Sequence, residues 1–175
     1  MERNTVKSKQ PKFTVRRYQE TDKERCRDLW RELVEWHREI YANPTIGGAR
    51  PEDYFDRHLT RVGSGKIWVV EHNATVVGFA GLVLEDGDFI MDPIVVASEF
   101  RGKGVGKQLV KTLIQEAQKL GASQLHVEPV ARNAEAIKFY HEMGFVNVGK
   151  VQLFIDFSGK KWSRGFKMHN RKFCY

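Results

Sequence analysis

The spacing of apolar residues changes period several times along the chain, and each change marks an element. Phe13-Thr14-Val15-Arg16 alternates and predicts a first strand. After Thr21 or Asp22, either of which can cap a helix, Arg25 or Cys26, Leu29, Trp30, Leu33, Val34, His37 and Ile40 recur at helical spacing. Asn43-Pro44 and Gly47-Gly48 break that helix, and Pro51-Glu52-Asp53 opens a short second one with Tyr54, Phe55, His58 and Leu59. Lys66–Glu71 and Thr75–Leu84 then predict a hairpin turned at His72-Asn73-Ala74, followed by a central strand over Phe89–Val96. Pro93 lies inside that strand and has no N–H to give a neighbour. It predicts a bulge or an opening in the ladder.

From Gly104 onward, Val105, Leu109, Val110, Leu113, Ile114, Ala117 and Leu120 share one helical face, and Gly121 is the stop. Gln124–Glu128 reads as a short strand. Asn133 caps a further helix that runs through Ala136 or Ile137, Tyr140 and Met143 to Gly144. Phe145–Val148 with Val151–Phe157, and then Gly165–Phe173, read as the last strands. The order β-α-α-β-β-β-α-β-α-β-β predicts an α/β (α+β) fold, a mixed, mostly antiparallel central sheet flanked by helices. One domain over 13–175 would follow a basic N-terminal arm over 1–12.

Composition narrows the class. With 175 residues, 41% of them hydrophobic, the chain can bury a core without metals or disulfides. No apolar run reaches membrane-spanning length, and Met1–Lys12 is polar and basic rather than a secretory leader, so no membrane partner and a cytoplasmic location are expected. Cys26 and Cys174 stand alone near opposite ends, which argues against a disulfide framework or a zinc site and fits a reducing cytosol. The net charge of +7 invites a nucleic-acid reading, but the excess is dispersed and no nucleic-acid-binding motif accompanies it. A polyanionic cofactor would suit the same charge.

The most specific stretch follows the Phe89–Val96 strand: Arg101-Gly102-Lys103-Gly104-Val105-Gly106, leading straight into the amphipathic helix. Glycines at a strand-to-helix turn admit a ligand to the backbone and leave the helix's first amides free, which makes an anion site. A Walker loop is excluded, because Arg101 stands where its first glycine belongs and Gln108 replaces its hydroxyl. A dinucleotide turn fails as well, meeting Lys107 or Leu109 where glycine is needed. Instead, Arg101, Gly104 and Gly106 satisfy [QR]-x-x-G-x-[GA], which resembles the pyrophosphate-binding motif of the GNAT superfamily of acetyltransferases. The lead-in Val96-Ala97-Ser98-Glu99-Phe100-Arg101-Gly102 is similar to that family's, lacking only a proline. Downstream, Asn133-Ala134-Glu135-Ala136-Ile137-Lys138-Phe139-Tyr140-His141-Glu142-Met143-Gly144-Phe145 resembles its N-x-x-A-x-x-x-Y-x-x-x-G-F.

The resemblance implies an acetyl-CoA-dependent N-acetyltransferase with no metal. Arg101, Gly102, Lys103, Gly104, Val105, Gly106 and Lys107 would hold the cofactor's pyrophosphate. Pantetheine would run along Ile94, Val95 and Val96 like an added strand, and Asn133 and Tyr140 would border the same ligand. Acetyl transfer needs a neutral amine, a stabilised oxyanion and a protonated leaving thiolate. Backbone amides near Val95 and Val96 would serve the oxyanion, and Tyr140 is the candidate general acid. Glu128 is the candidate base, by similarity to the family's ribosomal-protein-acetylating branch, although Pro129-Val130-Ala131-Arg132 departs from that branch's pattern. Asp92, Glu71 and Glu85 are alternatives, and His126 reads as a packed or hydrogen-bonded histidine. Trp36, Tyr41, Glu52, Asp53 and Asp56 would suit a cationic amine, and an amphipathic surface helix explains them equally. The acceptor, a protein N-terminus, a lysine or a small amine, is left open, as is a homodimer. A non-catalytic acyl-CoA-binding module of the same fold is the competing reading.

Overall fold

A computed structural model describes residues 12–159 and 161–175. Most of the expected basic arm therefore lies outside the described residues. The chain divides into two compact units, the first ending at Val127 and the second spanning Glu128–Tyr175.

In the first unit five strands form one sheet in chain order: β1 (Thr14–Arg17), β2 (Ile67–His72), β3 (Thr75–Glu85), β4 (Asp88–Val96) and β5 (Leu125–His126). Pairing is antiparallel except between β4 and β5. Helices α1 (Lys23–Tyr41), α2 (Asp53–Val62) and α3 (Val105–Lys119) complete it. The β2–β3 turn falls where expected, with Asn73 and Ala74 both left-handed, the backbone a two-residue hairpin turn requires.

β3 is buried from Val76 to Val83, as a central strand covered on both faces must be. Phe79 packs edge-on against Phe55 of α2, and with Leu29 and Cys26 of α1, Ile67, Val69 and Val95 it forms the core beneath α1 and α2. Gly78 precedes Phe79 and so faces the other way. A Cβ there would meet Val105 of α3 at 3.4 Å, which places α3 on the opposite face. Each fully buried Phe or Leu of this core contributes about 2–3 kcal/mol. Arg16 bridges the first elements, donating to Asp22 at 2.7 and 2.9 Å and to Glu71 at 3.0 Å.

Pro93 does what its missing N–H predicts. Ala80 pairs with Ile94 and Leu82 with Met91, so Asp92 and Pro93 oppose Gly81 alone, a bulge of two residues against one. The ladder from β4 to β5 is short, Phe89 to Leu125 and Ile90 to His126. The strand expected over Gln124–Glu128 is accordingly reduced to two residues, and Glu128 lies beyond it. From Met91 to Val96 the register pairs β4 on its β3 side only, among the described residues.

In the second unit, α4 (Ala134–Glu142) is followed by the hairpin β6 (Arg164–Met168) and β7 (Arg171–Cys174). The strands expected over Phe145–Val148 and Val151–Phe157 are not formed there, and the run expected as one strand over Gly165–Phe173 is two, turned at the left-handed His169-Asn170. Alternation favours an extended chain, but a strand exists only where a neighbour completes its hydrogen bonds. Val148, Ile155 and Phe157 are exposed, with no core face to fix a register.

Candidate active site

The turn from β4 to α3 is built from backbone. Ala97 N–H donates to Val77 O at 2.9 Å, ending the β4 pairing, and a short 3-10 turn over Ser98–Phe100 follows. Gly102 and Gly104 then take φ of +73° and +89°, values that glycine adopts without strain. Gly104 is the N-cap of α3 and, lacking a side chain, makes no cap hydrogen bond. The first intrahelical bond there is Gln108 N–H to Gly104 O at 3.1 Å, so the amides of Val105, Gly106 and Lys107 precede the helix's own ladder. A Cβ at Gly102 or Gly104 would meet nothing within 4 Å, so there is open space beside both glycines. Open backbone donors at a helix N-terminus fit a phosphate anion.

Side chains around the turn divide by role. Val105 and Val95 are buried, so only their backbones can meet a ligand, while Ile94 and Val96 are half-buried. Lys103 and Lys107 are exposed, and the Lys103 ammonium lies 5.2 Å from the Phe100 ring centroid. Arg101 is exposed, and its Nε donates to Val96 O at 3.2 Å. Its guanidinium carbon stands 5.3 Å from the ring centroid of Trp36. Trp36, grouped by sequence with the acceptor-reading residues, thus lies at the glycine turn.

The carboxylates separate clearly. Glu71 is engaged by Arg16 on the β1–β2 side of the sheet. Glu85 is exposed at the β3–β4 turn, opposite Asp88. Asp53 and Asp56, expected to suit a cationic amine, are spent on Arg27, the first at 2.9 Å, and Glu52 faces Arg31 at 3.5 Å. Asp92 alone sits on the bulge. Arg61 of α2 donates to it at 3.2 Å, and both side chains are exposed.

Beside it lies the histidine of the second helix, which the sequence places with Tyr54 among the parts that could read the acceptor. His58 of α2 is 5% exposed, 5.4 Å from the Trp30 ring, with Nε2 buried and unpartnered among the described residues. A Cβ at Gly81 would come within 2.6 Å of that nitrogen and 2.5 Å of Asp92 O, so the imidazole packs against the bulge itself. Burial, with Arg61 nearby, lowers its pKa to about 4. Its fixed neutral charge follows from tertiary contacts that its sequence neighbours do not announce. His126 lies 3.4 Å from Asp88.

In the second unit the motif helix forms as its sequence predicts. Asn133 Oδ1 accepts from Ala136 N–H at 3.0 Å, and Gly144 leaves the helix with φ +98°. The half-buried Tyr140 ring packs 5.3 Å from Phe139 and 5.8 Å, edge-on, from Phe145. Glu128 is exposed, in irregular chain. Among the described residues no group of three or more His, Cys, Asp or Glu is placed to hold a metal, and no helix is long and apolar enough to cross a membrane.

Comparison with known proteins agrees with the fold. The sequence is similar to a mouse probable N-acetyltransferase family 8 member 5, 33% identical over 109 residues, covering 56% of this chain and 44% of that one. Human N-acetyltransferase 8 is 28% identical over 129 residues, covering 70% and 54%. The chain thus spans about half the length of these curated relatives. Among solved structures, a PaiA N-acetyltransferase from Thermoplasma acidophilum in complex with coenzyme A shares the fold, with a TM-score of 0.63 at 19% identity over 76% of this chain and 89% of that one. The model of the acetyltransferase (GNAT) family matches residues 30–145, from α1 through the glycine turn to the end of the second motif, and the chain belongs to that family.

Proposed function

We propose that the protein transfers the acetyl group of acetyl-CoA directly to a primary amine, residues 13–175 acting as one domain. The carrying observation is the turn at Gly102–Lys107: two left-handed glycines with open space beside them and a helix start without a side-chain cap. Those amides, with Arg101, Lys103 and Lys107, would receive the pyrophosphate, and Ile94, Val95 and Val96 would offer pantetheine the backbone of β4 beyond the bulge. Asn133 and Tyr140 supply the second motif. In the reaction the amine nitrogen bonds to the thioester carbon, the C–S bond breaks, the amine loses a proton to a base, and the thiolate gains one. Tyr140 is the proposed acid.

For the base, Asp92 and Glu128 both stand. Asp92 is supported by its place on the bulge opposite Gly81. The acceptor is a protein N-terminus, a lysine or a small amine. The protein is taken to work in the cytoplasm.

The test is an amine-library screen with acetyl-CoA, following free thiol release and acetylated product. At least one amine should give thiol release above the amine-free rate, with acetyl-CoA heat seen in calorimetry. Absence of both the heat and a thermal shift would overturn the reading. Heat without turnover on any amine would favour a binding module.

A further inference from the structure

We propose that Trp36 is a positioning residue for the phosphate turn, holding the Arg101 guanidinium where a pyrophosphate-bearing thioester needs it. The inference rests on the acetyl-CoA reading above and adds a source of selectivity for coenzyme A thioesters over shorter pantetheine thioesters. Arg101 stands at the head of the glycine motif on an exposed loop, where a long flexible side chain would ordinarily sample many rotamers. Here it is fixed twice. Its Nε donates to Val96 O at 3.2 Å, and its guanidinium lies over the Trp36 ring at 5.3 Å. The Nε bond uses one of five N–H donors, leaving the two terminal nitrogens for an anion. Indole is the strongest aromatic partner for a cation, and a planar guanidinium stacks where an ammonium does not.

Trp36 is itself held. It is half-buried on α1, four residues beyond Glu32 and so on the same helix face. Glu32 Oε2 accepts from Ser98 N–H at 3.4 Å, and its other oxygen lies 3.4 Å from Arg25, whose Nε donates to Val76 O at 3.0 Å. One face of α1 therefore meets the turn at both Ser98 and Arg101. A side chain ordered before binding does not charge its lost freedom to the complex. The benefit reaches only ligands that carry the diphosphate.

The test compares wild type, Trp36→Ala, Trp36→Leu and Trp36→Phe, each also in an Arg101→Ala background. Readouts are calorimetric Kd for acetyl-CoA, KM for acetyl-CoA against S-acetylpantetheine, and melting temperature. Trp36→Ala and Trp36→Leu should weaken acetyl-CoA by about three- to tenfold, and Trp36→Phe should restore most of it. The advantage of acetyl-CoA over S-acetylpantetheine should shrink by the same factor, and the effect should vanish once Arg101 is alanine. Trp36→Leu keeps apolar volume, so it covers the case in which Trp36→Ala fails to fold. Unchanged or tighter binding in Trp36→Leu, or an equal loss without Arg101, would overturn the proposal. Wild type that binds no acetyl-CoA overturns the functional reading instead, which keeps the two failures distinct.

Discussion

The glycine turn and the Asn133–Phe145 helix carry motifs of similar clarity, yet they are built on different foundations. Behind the turn, α3 buries Val105, Leu109, Val110, Leu113 and Ala117, and backbone hydrogen bonds join the turn's residues to one another and to β3. Helix α4 buries no residue to that degree and rests on the Asn133 cap and the Phe139–Tyr140–Phe145 ring contacts. A site made of amides needs a rigid helix behind it, since each donor's position is set by the chain. A site made of one side chain needs only a local scaffold. The proposed function puts affinity at the turn and turnover at the helix, and each half of that proposal can be broken separately.

The largest effect is expected at Gly104. Gly104→Asp adds negative charge beside the pyrophosphate and strain at φ +89°, so Kd for acetyl-CoA should rise about 100-fold or more by calorimetry. A change under threefold would reduce the turn to an ordinary helix start. Next is Tyr140→Phe, which keeps the ring contacts and removes the hydroxyl. Turnover should fall by up to ~10²-fold with Kd and melting temperature nearly unchanged, and the deficit should narrow as pH rises, because a thiolate leaves more easily in alkaline buffer. A pH–rate profile identical to wild type removes Tyr140 from the chemistry.

A smaller effect concerns the floor of the bulge. His58 binds its proton in the unfolded chain near pH 6.5 but in the folded one only near 4, owing to burial and then Arg61. Its contribution is complete above pH 6.5 and is lost as pH falls toward 4, by about 3 kcal/mol. Asp22 titrates lower. Burial raises its carboxyl, but Arg16 and the Gln19 amide more than offset that, so its loss comes at more acid pH. Urea unfolding from pH 7 to 4 should show a shallower decline in His58→Leu, and parallel curves would exclude His58 as the cause. The smallest effect is Gly121→Ala, where φ is +79° at the far end of α3. It should cost about 1 kcal/mol of stability and leave acetyl-CoA affinity alone. This variant separates backbone strain from charge in Gly104→Asp.

Much of this was legible in the residues. Period alone placed α1 to α3 and the β2–β3 hairpin, because their buried faces repeat at fixed intervals. Pro93 announced the bulge by a missing donor, and Asn133 its cap by a short side-chain acceptor. The glycine pattern located the tight turn into α3 because glycine occupies its left-handed backbone angles without cost. These are local properties, carried by each residue wherever it stands. Pairing partners are not local. Among the described residues the run Val151–Phe157 has no neighbour that would make it a strand, and Gln124–Glu128 kept only the two residues that meet β4 before its bulge. The fates of charged and aromatic groups were likewise decided in three dimensions. Arg27 claimed Asp53 and Asp56, Arg16 claimed Glu71, and Trp36 came to lie under Arg101, sixty-five positions away in sequence. Sequence determined which backbone shapes were available, because those depend on each residue's own sterics. Tertiary structure determined which polar groups stayed free to act, because a charge or an aromatic face is spent on whatever the fold brings within a few ångströms of it.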